Sequence, residues 1–279
     1  KPREDGPTPW FIGDIYLYVD GRRSFMADLA RRASKSRLWE VCKQAGLASH
    51  ISSLYWRSKL AAKCWSASVT VGGHTVTFAT DTPTEYQRVT SLVGERSVVE
   101  SLLADVRPSD VVYDVGANIG THACFVGQRL RDGLVVAFEP MPTNAVRLRH
   151  NLSTNVPSGR WQIAEFALDD EDGTGRLSVE SDDFGEGKHA LSTDGDLSID
   201  VRRGASLVAD GTYPPPDVVK IDVEGAELRV LRGLADQLDD VRVVYVELHH
   251  ELSDAYDTST DEIEGFLRDH GFSIERLNE

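Results

Sequence analysis

Five acids and a histidine fall where apolar runs of the chain end. Asp114 follows Val111-Val112-Tyr113, Glu139 follows the run from Gly133 to Phe138, and Asp222 and Glu224 follow Val218-Val219-Lys220-Ile221. Glu247 and His249 close the run that starts at Val241. Strands do not collect carboxylates at their ends for stability, because a buried unpaired charge costs several kcal/mol. In an open doubly wound sheet, ligands bind beyond the carboxyl ends of the strands where strand order reverses. Residues far apart in sequence then line one rim. An acidic rim repels phosphate and favours a ligand that carries an amine or a sulfonium. His249 has the ordinary pKa for a general base that takes a hydroxyl proton near neutrality, and it reads equally as a surface histidine just past a strand. Glu224 or Asp222 is the alternative base, or orients the histidine. Asp222, Glu224 and His249 would also suit Mg²⁺ with waters, but no histidine spacing supports a metal, and none is expected.

The elements that position these groups are legible from their punctuation. Val111 to Val115 reads as a buried strand, Gly116 to Gly120 as a tight turn, and the segment from Thr121 as a helix. The second and third glycines of the dinucleotide fingerprint are replaced by Asn118 and Thr121, which argues against a pyrophosphate. With Asp114 at the strand end, the pattern points to S-adenosylmethionine, whose sulfonium and amine suit the acid and whose carboxylate suits the helix N-terminus. Asp114, Gly116, Asn118, Gly120 and Thr121 are the candidate contacts. Glu139, followed by Pro140, stands about 20 residues beyond the turn, the interval at which an acid takes a ribose hydroxyl pair.

The wording Asp-Val-Gly-Ala-Asn-Ile-Gly from Asp114, with Lys-Ile-Asp-Val-Glu-Gly-Ala-Glu-Leu from Lys220, resembles the FkbM family of class I methyltransferases over about residues 85 to 279. The resemblance implies a Rossmann-like α/β fold with a mostly parallel doubly wound sheet. It implies O-methylation from S-adenosylmethionine of a sugar hydroxyl, or of a hexuronic acid carboxylate, on a glycan or glycolipid. It also places Glu95 near the cofactor and Ala167 and Leu168 against the adenine. An acceptor carboxylate would need no base, leaving His249 to position it. Two rivals remain at this point: a module that binds cofactor or partner without turnover, and an NAD-dependent enzyme on the same topology.

Around the core, residues 1–64 form an N-terminal extension and 65–279 the methyltransferase domain, with a leading hairpin at 66–79 and a Rossmann-like core over about 108–279. Pro2, Pro7 and Pro9 suit an extended arm, and Arg22 to Lys63 reads as helical. The basic positions Arg22, Arg23, Arg31, Arg32, Lys35 and Arg37 read as a solvated helix face rather than a membrane-surface helix. Gly72-Gly73 between alternating segments signals the hairpin. Glu85 to Val106 reads as one helix, and Asn144 to Asn155 as another. Trp161 to Leu168 reads as a strand and Ser181 to Asp200 as a loop. Leu228 to Leu238 and Asp261 to His270 read as helices, and Phe272 to Leu277 as a last strand, with one further strand expected beyond it.

The formal charge of −15 disfavours nucleic acid as a partner, and the scarcity of lysine beside arginine suits a halophilic protein. Cys42, Cys64 and Cys124 form no pair motif, which fits a reducing compartment. With no apolar stretch long enough to span a bilayer and no signal-peptide pattern, a cytoplasmic location is the expectation.

Overall fold

A computed structural model of the chain describes residues 66–81, 83–92, 94–177, 197–248 and 259–277, together with short strands at 10–12 and 15–17. The expected helices between Arg22 and Lys63, and with them the basic helix face, lie outside the described residues. So do most of the expected loop from Ser181 to Asp200, and His249 and His250. The chain divides into two compact units, residues 1–67 with 80–93, and residues 68–79 with 94–279.

In the first unit β1 (Trp10–Ile12) pairs antiparallel with β2 (Ile15–Leu17). The proline-marked arm therefore contains an element, because aromatic and β-branched residues flank Gly13-Asp14 in a hairpin pattern. β3 (Ser66–Val71) and β4 (His74–Ala79), which belong almost wholly to the second unit, form the expected hairpin across Gly72-Gly73. The single helix expected from Glu85 to Val106 is instead two, α1 (Pro83–Ser91) and α2 (Arg96–Asp105). Leu92 at φ +45° and Gly94 at φ +80° take the left-handed conformation between them, and that conformation ends a helix.

The second unit is built on five parallel strands: β5 (Val111–Val115), β6 (Leu134–Phe138), β7 (Trp161–Ala164), β11 (Val218–Ile221) and β12 (Val243–Val246), in the order β12-β11-β5-β6-β7. Residues β5 to β7 progress in one direction, and the chain then returns to β11 on the other side of β5. The reversal between β5 and β11 is the switch point of a Rossmann-like doubly wound sheet. Register aligns the carboxyl ends: Val115 lies beside Ile221 and Phe138, and Phe138 beside Ala164. Helices α3 (Thr121–Arg129), α4 (Pro142–Asn155) and α6 (Glu227–Leu238) supply the crossovers, and α7 (Thr260–Asp269) follows β12 with a capping box at Ser259 and Glu262. Strands with four consecutive buried residues, as in β11, have no polar face to offer water and require helices on both sides.

Two expected strands are corrected here. Trp161 to Leu168 splits at Glu165-Phe166: β7 ends at Ala164, and β8 (Ala167–Asp169) joins a separate sheet of order β8-β10-β9. In it β10 (Leu197–Arg203) runs parallel to β8 and antiparallel to β9 (Gly173–Leu177). Leu197 to Asp200 is therefore strand rather than loop, with Ile199 and Val201 buried in the alternation that a one-sided sheet requires. β10 leads directly into the short α5 (Gly204–Ala209). Phe272 to Leu277 forms no strand among the described residues. Phe272 and Ile274 instead pack against the main core, so their apolar alternation reflects burial without pairing.

A pair of asparagines ties the hairpin to the crossover helix. Asn151 Nδ2 donates to the Ile119 carbonyl at 2.8 Å while its Oδ1 accepts from the Ala79 amide at 3.1 Å. Asn155 exchanges two bonds with Thr77, Oδ1 accepting from its amide and Nδ2 donating to its carbonyl, both at 2.8 Å. An unpaired β4 edge would leave these backbone groups unsatisfied; the amide side chains close it.

Candidate active site at the strand reversal

The turn after β5 is shaped by one close approach. Gly116 has φ +77°, and a Cβ there would stand 1.9 Å from the Asp222 carbonyl oxygen, so only glycine lets the turns after β5 and β11 touch. The Gly116 and Ala117 amides both donate to the Phe138 carbonyl at 3.0 Å, and the Asp222 amide donates to the Val115 carbonyl at 3.0 Å. Asn118 takes φ +50°, a conformation that asparagine tolerates better than most residues, and Gly120 at φ +90° caps α3. Gly116, Asn118, Thr121, Pro140, Asp222 and Glu224 are all half-buried at this end of the sheet.

Asp114 lies beneath the turn at 1% exposure, with neither carboxylate oxygen in a well-formed hydrogen bond among the described residues, although the Ala123 amide and the Lys220 ammonium approach it and favour its charged form. Its neighbour in register on β11 is Lys220, whose Nζ stands 3.6 Å from Asp114 Oδ1 and 2.9 Å from Asp222 Oδ2. Burial pushes the Asp114 carboxyl up; the Lys220 charge opposes that rise and Asp222 adds to it. Burial also opposes the charge of Lys220, but Asp222 and Asp114, with a contribution from Glu95, outweigh it and hold the ammonium above its ordinary range. Asp114 and Asp222 thus share the Lys220 ammonium, with Glu95 adding to the field that holds it charged.

Glu139 is 5% exposed and held from two sides: Oε2 accepts from the Asn118 amide at 2.7 Å and Oε1 from the Met141 amide at 2.8 Å. Burial raises it to about 7, although the amides of Met141 and Asn118 and the side chain of Asn144 favour the charged form. A carboxylate has about four lone-pair sites, so two amides leave capacity for hydroxyl donors.

The fold thus gathers Asp114, Gly116, Asn118, Gly120, Thr121, Glu139, Pro140, Asp222 and Glu224 around the reversal point. Glu95 begins α2, and its charge reaches Lys220. Ala167 and Leu168 are not at the end of the strand beside β6: that end is Ala164, whose carbonyl accepts from the Glu139 amide at 3.0 Å. Leu168 is 2% exposed in the core, and Ala167 packs on the cluster of Met141, Leu177, Ile199 and Val201. His249 lies outside the described residues. Among these residues no group of three metal-ligating side chains comes together, and no helix is long and apolar enough to cross a membrane.

Sequence reasoning passed over Lys220 as a site residue. The signal was present, since a lysine between valines and an isoleucine in a fully buried strand needs carboxylate partners. Asn144, by contrast, gave no signal beyond an ordinary helix residue.

Hexuronic acid methyltransferase AglP of Haloferax volcanii is 38% identical over 180 residues, covering 64% of this chain and 72% of its own. The 31-O-demethyl-FK506 methyltransferase FkbM of Streptomyces tacrolimicus is 30% identical, covering 61% and 75%. The 2-O-methyltransferase NoeI of Sinorhizobium fredii is 29% identical, covering 56% and 69%. Among solved structures, precorrin-6y C5,15-methyltransferase of Geobacter metallireducens matches at 14% identity and a TM-score of 0.39, covering 65% of this chain and 74% of that one. Residues 114–274 match the methyltransferase FkbM domain, and the chain belongs to that family of methyltransferases.

Proposed function

We propose that the chain is an S-adenosylmethionine-dependent O-methyltransferase acting on a sugar of a glycan or glycolipid. The observation that carries the cofactor reading is the buried Asp114, which makes no well-formed hydrogen bond among the described residues and shares the Lys220 ammonium with Asp222. Two carboxylates on one ammonium suit a ligand bearing an ammonium and a sulfonium, and they oppose one bearing phosphates. When bound, S-adenosylmethionine supplies an electrophilic methyl group. Asp114 holds its cationic end, Glu139 accepts the ribose hydroxyls, and the open backbone of Gly116 to Thr121 admits its amino-acid portion. The half-buried Asp222 and Glu224 face the acceptor side, where they orient hydroxyl groups in line with the methyl.

Because Asp222 is anchored by Lys220, it serves orientation better than proton abstraction. His249, two residues beyond Glu247, is the base we assign for a hydroxyl acceptor. The similarity to hexuronic acid methyltransferase AglP favours a hexuronic acid, and a carboxylate acceptor is already a nucleophile that needs no base. The two acceptor chemistries separate after reaction: mild alkali releases methanol from a methyl ester and leaves a methyl ether intact.

Calorimetry tests the cofactor first. S-adenosylhomocysteine is expected to bind the wild type, with D114A and E139A each weakening it at least tenfold. Binding that is indifferent to both variants, or no binding at all, refutes the reading. Labelled methyl transfer to glucuronic acid-containing and neutral oligosaccharides, followed by alkali, then identifies the acceptor.

A further inference from the structure

In the reading above the Lys220 ammonium only anchors Asp222, yet it occupies the middle of the site. Its side chain is 4% exposed and stands between the Asp114 carboxylate of the neighbouring strand β5 and the Asp222 carboxylate in the turn after its own strand. An apolar residue would serve the sheet as well, because replacing a buried ion pair by packing residues is often neutral or stabilising. What valine cannot do is set the charge of Asp114. The groups facing Asp114 are Lys220 from β11, Asp222 from the turn after it, Glu139 just past β6, and the Ala123 amide and Cys124 thiol from α3, with Glu95 just before α2 facing Lys220. Lys220 is the cation of that group; the Ala123 amide is neutral, and the other members are acids or a thiol.

We infer that Lys220 is a positioning residue for the cofactor: its ammonium, clamped between Asp114 and Asp222 across β5 and β11, keeps Asp114 a carboxylate before the cation arrives. The inference rests on the sulfonium reading of the site. Without the ammonium, Asp114 takes up a proton among its acidic neighbours, and binding a cation must drive that proton off to the solvent. S-adenosylmethionine carries the sulfonium and S-adenosylhomocysteine does not, so the loss falls on the first ligand more than the second.

The readout is the ratio of the S-adenosylhomocysteine dissociation constant to that of S-adenosylmethionine, measured calorimetrically from pH 6 to 9. The ribose and α-amine are common to both ligands, so titration of Glu139 cancels in the ratio. Wild type and K220R should show a flat ratio. In K220M the ratio should be about tenfold lower at pH 6 and climb toward the wild-type value with rising pH, one pH unit of deprotonation being worth tenfold. A ratio unchanged in K220M, or lowered equally at every pH, overturns the role of Lys220. Wild type that binds neither ligand overturns the cofactor reading itself, and the role falls with it. Should K220M fail to fold, D114N carries the test. Its ratio should be depressed equally across the range, whereas a depression that vanishes at low pH means Asp114 was already protonated beside Lys220 and refutes the inference.

Discussion

Two glycines with the same backbone conformation separate the cost of conformation from the cost of contact. Gly116 has φ +77° and Gly211 φ +78°, but an added Cβ meets the Asp222 carbonyl oxygen at 1.9 Å in the first and nothing within 4 Å in the second. Alanine at either position pays for the left-handed conformation, about 1–2 kcal/mol. At Gly116 the carbonyl must also retreat by about 1 Å to reach a tolerable separation, and Asp222 is held to Val115 by its amide. Losing that bond and opening the packed turn adds roughly 1–3 kcal/mol. Urea titration should therefore find G116A less stable than G211A by about 2 kcal/mol, and calorimetry should find S-adenosylhomocysteine binding lost in G116A and retained in G211A. Equal destabilisation within about 0.5 kcal/mol, with binding intact in both, would refute the argument that contact between the two turns shapes the site.

Glu139 gives a stability that depends on pH. Burial lifts its pKa from 4.5 to about 7, so the folded protein keeps a proton that the unfolded chain releases, and stability falls as pH rises from about 4.5 to 7. The shift corresponds to roughly 3 kcal/mol, and E139Q should remove that slope, so the gap between the two proteins in urea titrations should change by about that amount between pH 4.5 and 7; parallel curves for the two proteins would dismiss the shift. Asn151, fully buried and bonded to both Ile119 and Ala79, should cost about 2–3 kcal/mol as N151A, since two backbone groups lose their partner at once. The same variant should weaken S-adenosylhomocysteine several-fold by freeing the Ile119 carbonyl in the turn, and an effect on stability with unaltered binding would sever the link between the hairpin and the site.

What the sequence made legible was local. The order of valines, acid and glycines at 111–120 announces strand, turn and helix together, and the Gly72-Gly73 pair announces a hairpin, because each pattern has one low-energy local solution. What was hidden depended on partners. β8 and β10 pair with each other across the chain between them, so Ala167 to Asp169 looked like the tail of β7. Gly94 ends a helix only because the chain turns there; within an amphipathic run a lone glycine reads as tolerated. Phe272 and Ile274 alternate as a strand does, but their neighbours are side chains of the core rather than another backbone. Lys220 was visible as an anomaly, and its meaning needed the register that sets it beside Asp114.

The order in which these strands find one another has a consequence for when the site exists. β5 and β6 pair residues 112 and 135, whereas β5 and β11 pair 112 and 218. Closing the second loop carries the larger entropic cost, so the local half from β5 to β7 is favoured to assemble before β11 docks. Gly116, Asp222 and Lys220 belong to that last join. The candidate site is therefore also the clasp of the domain: loop closure favours its forming late, and any ligand that grips both edges would raise the barrier to opening them.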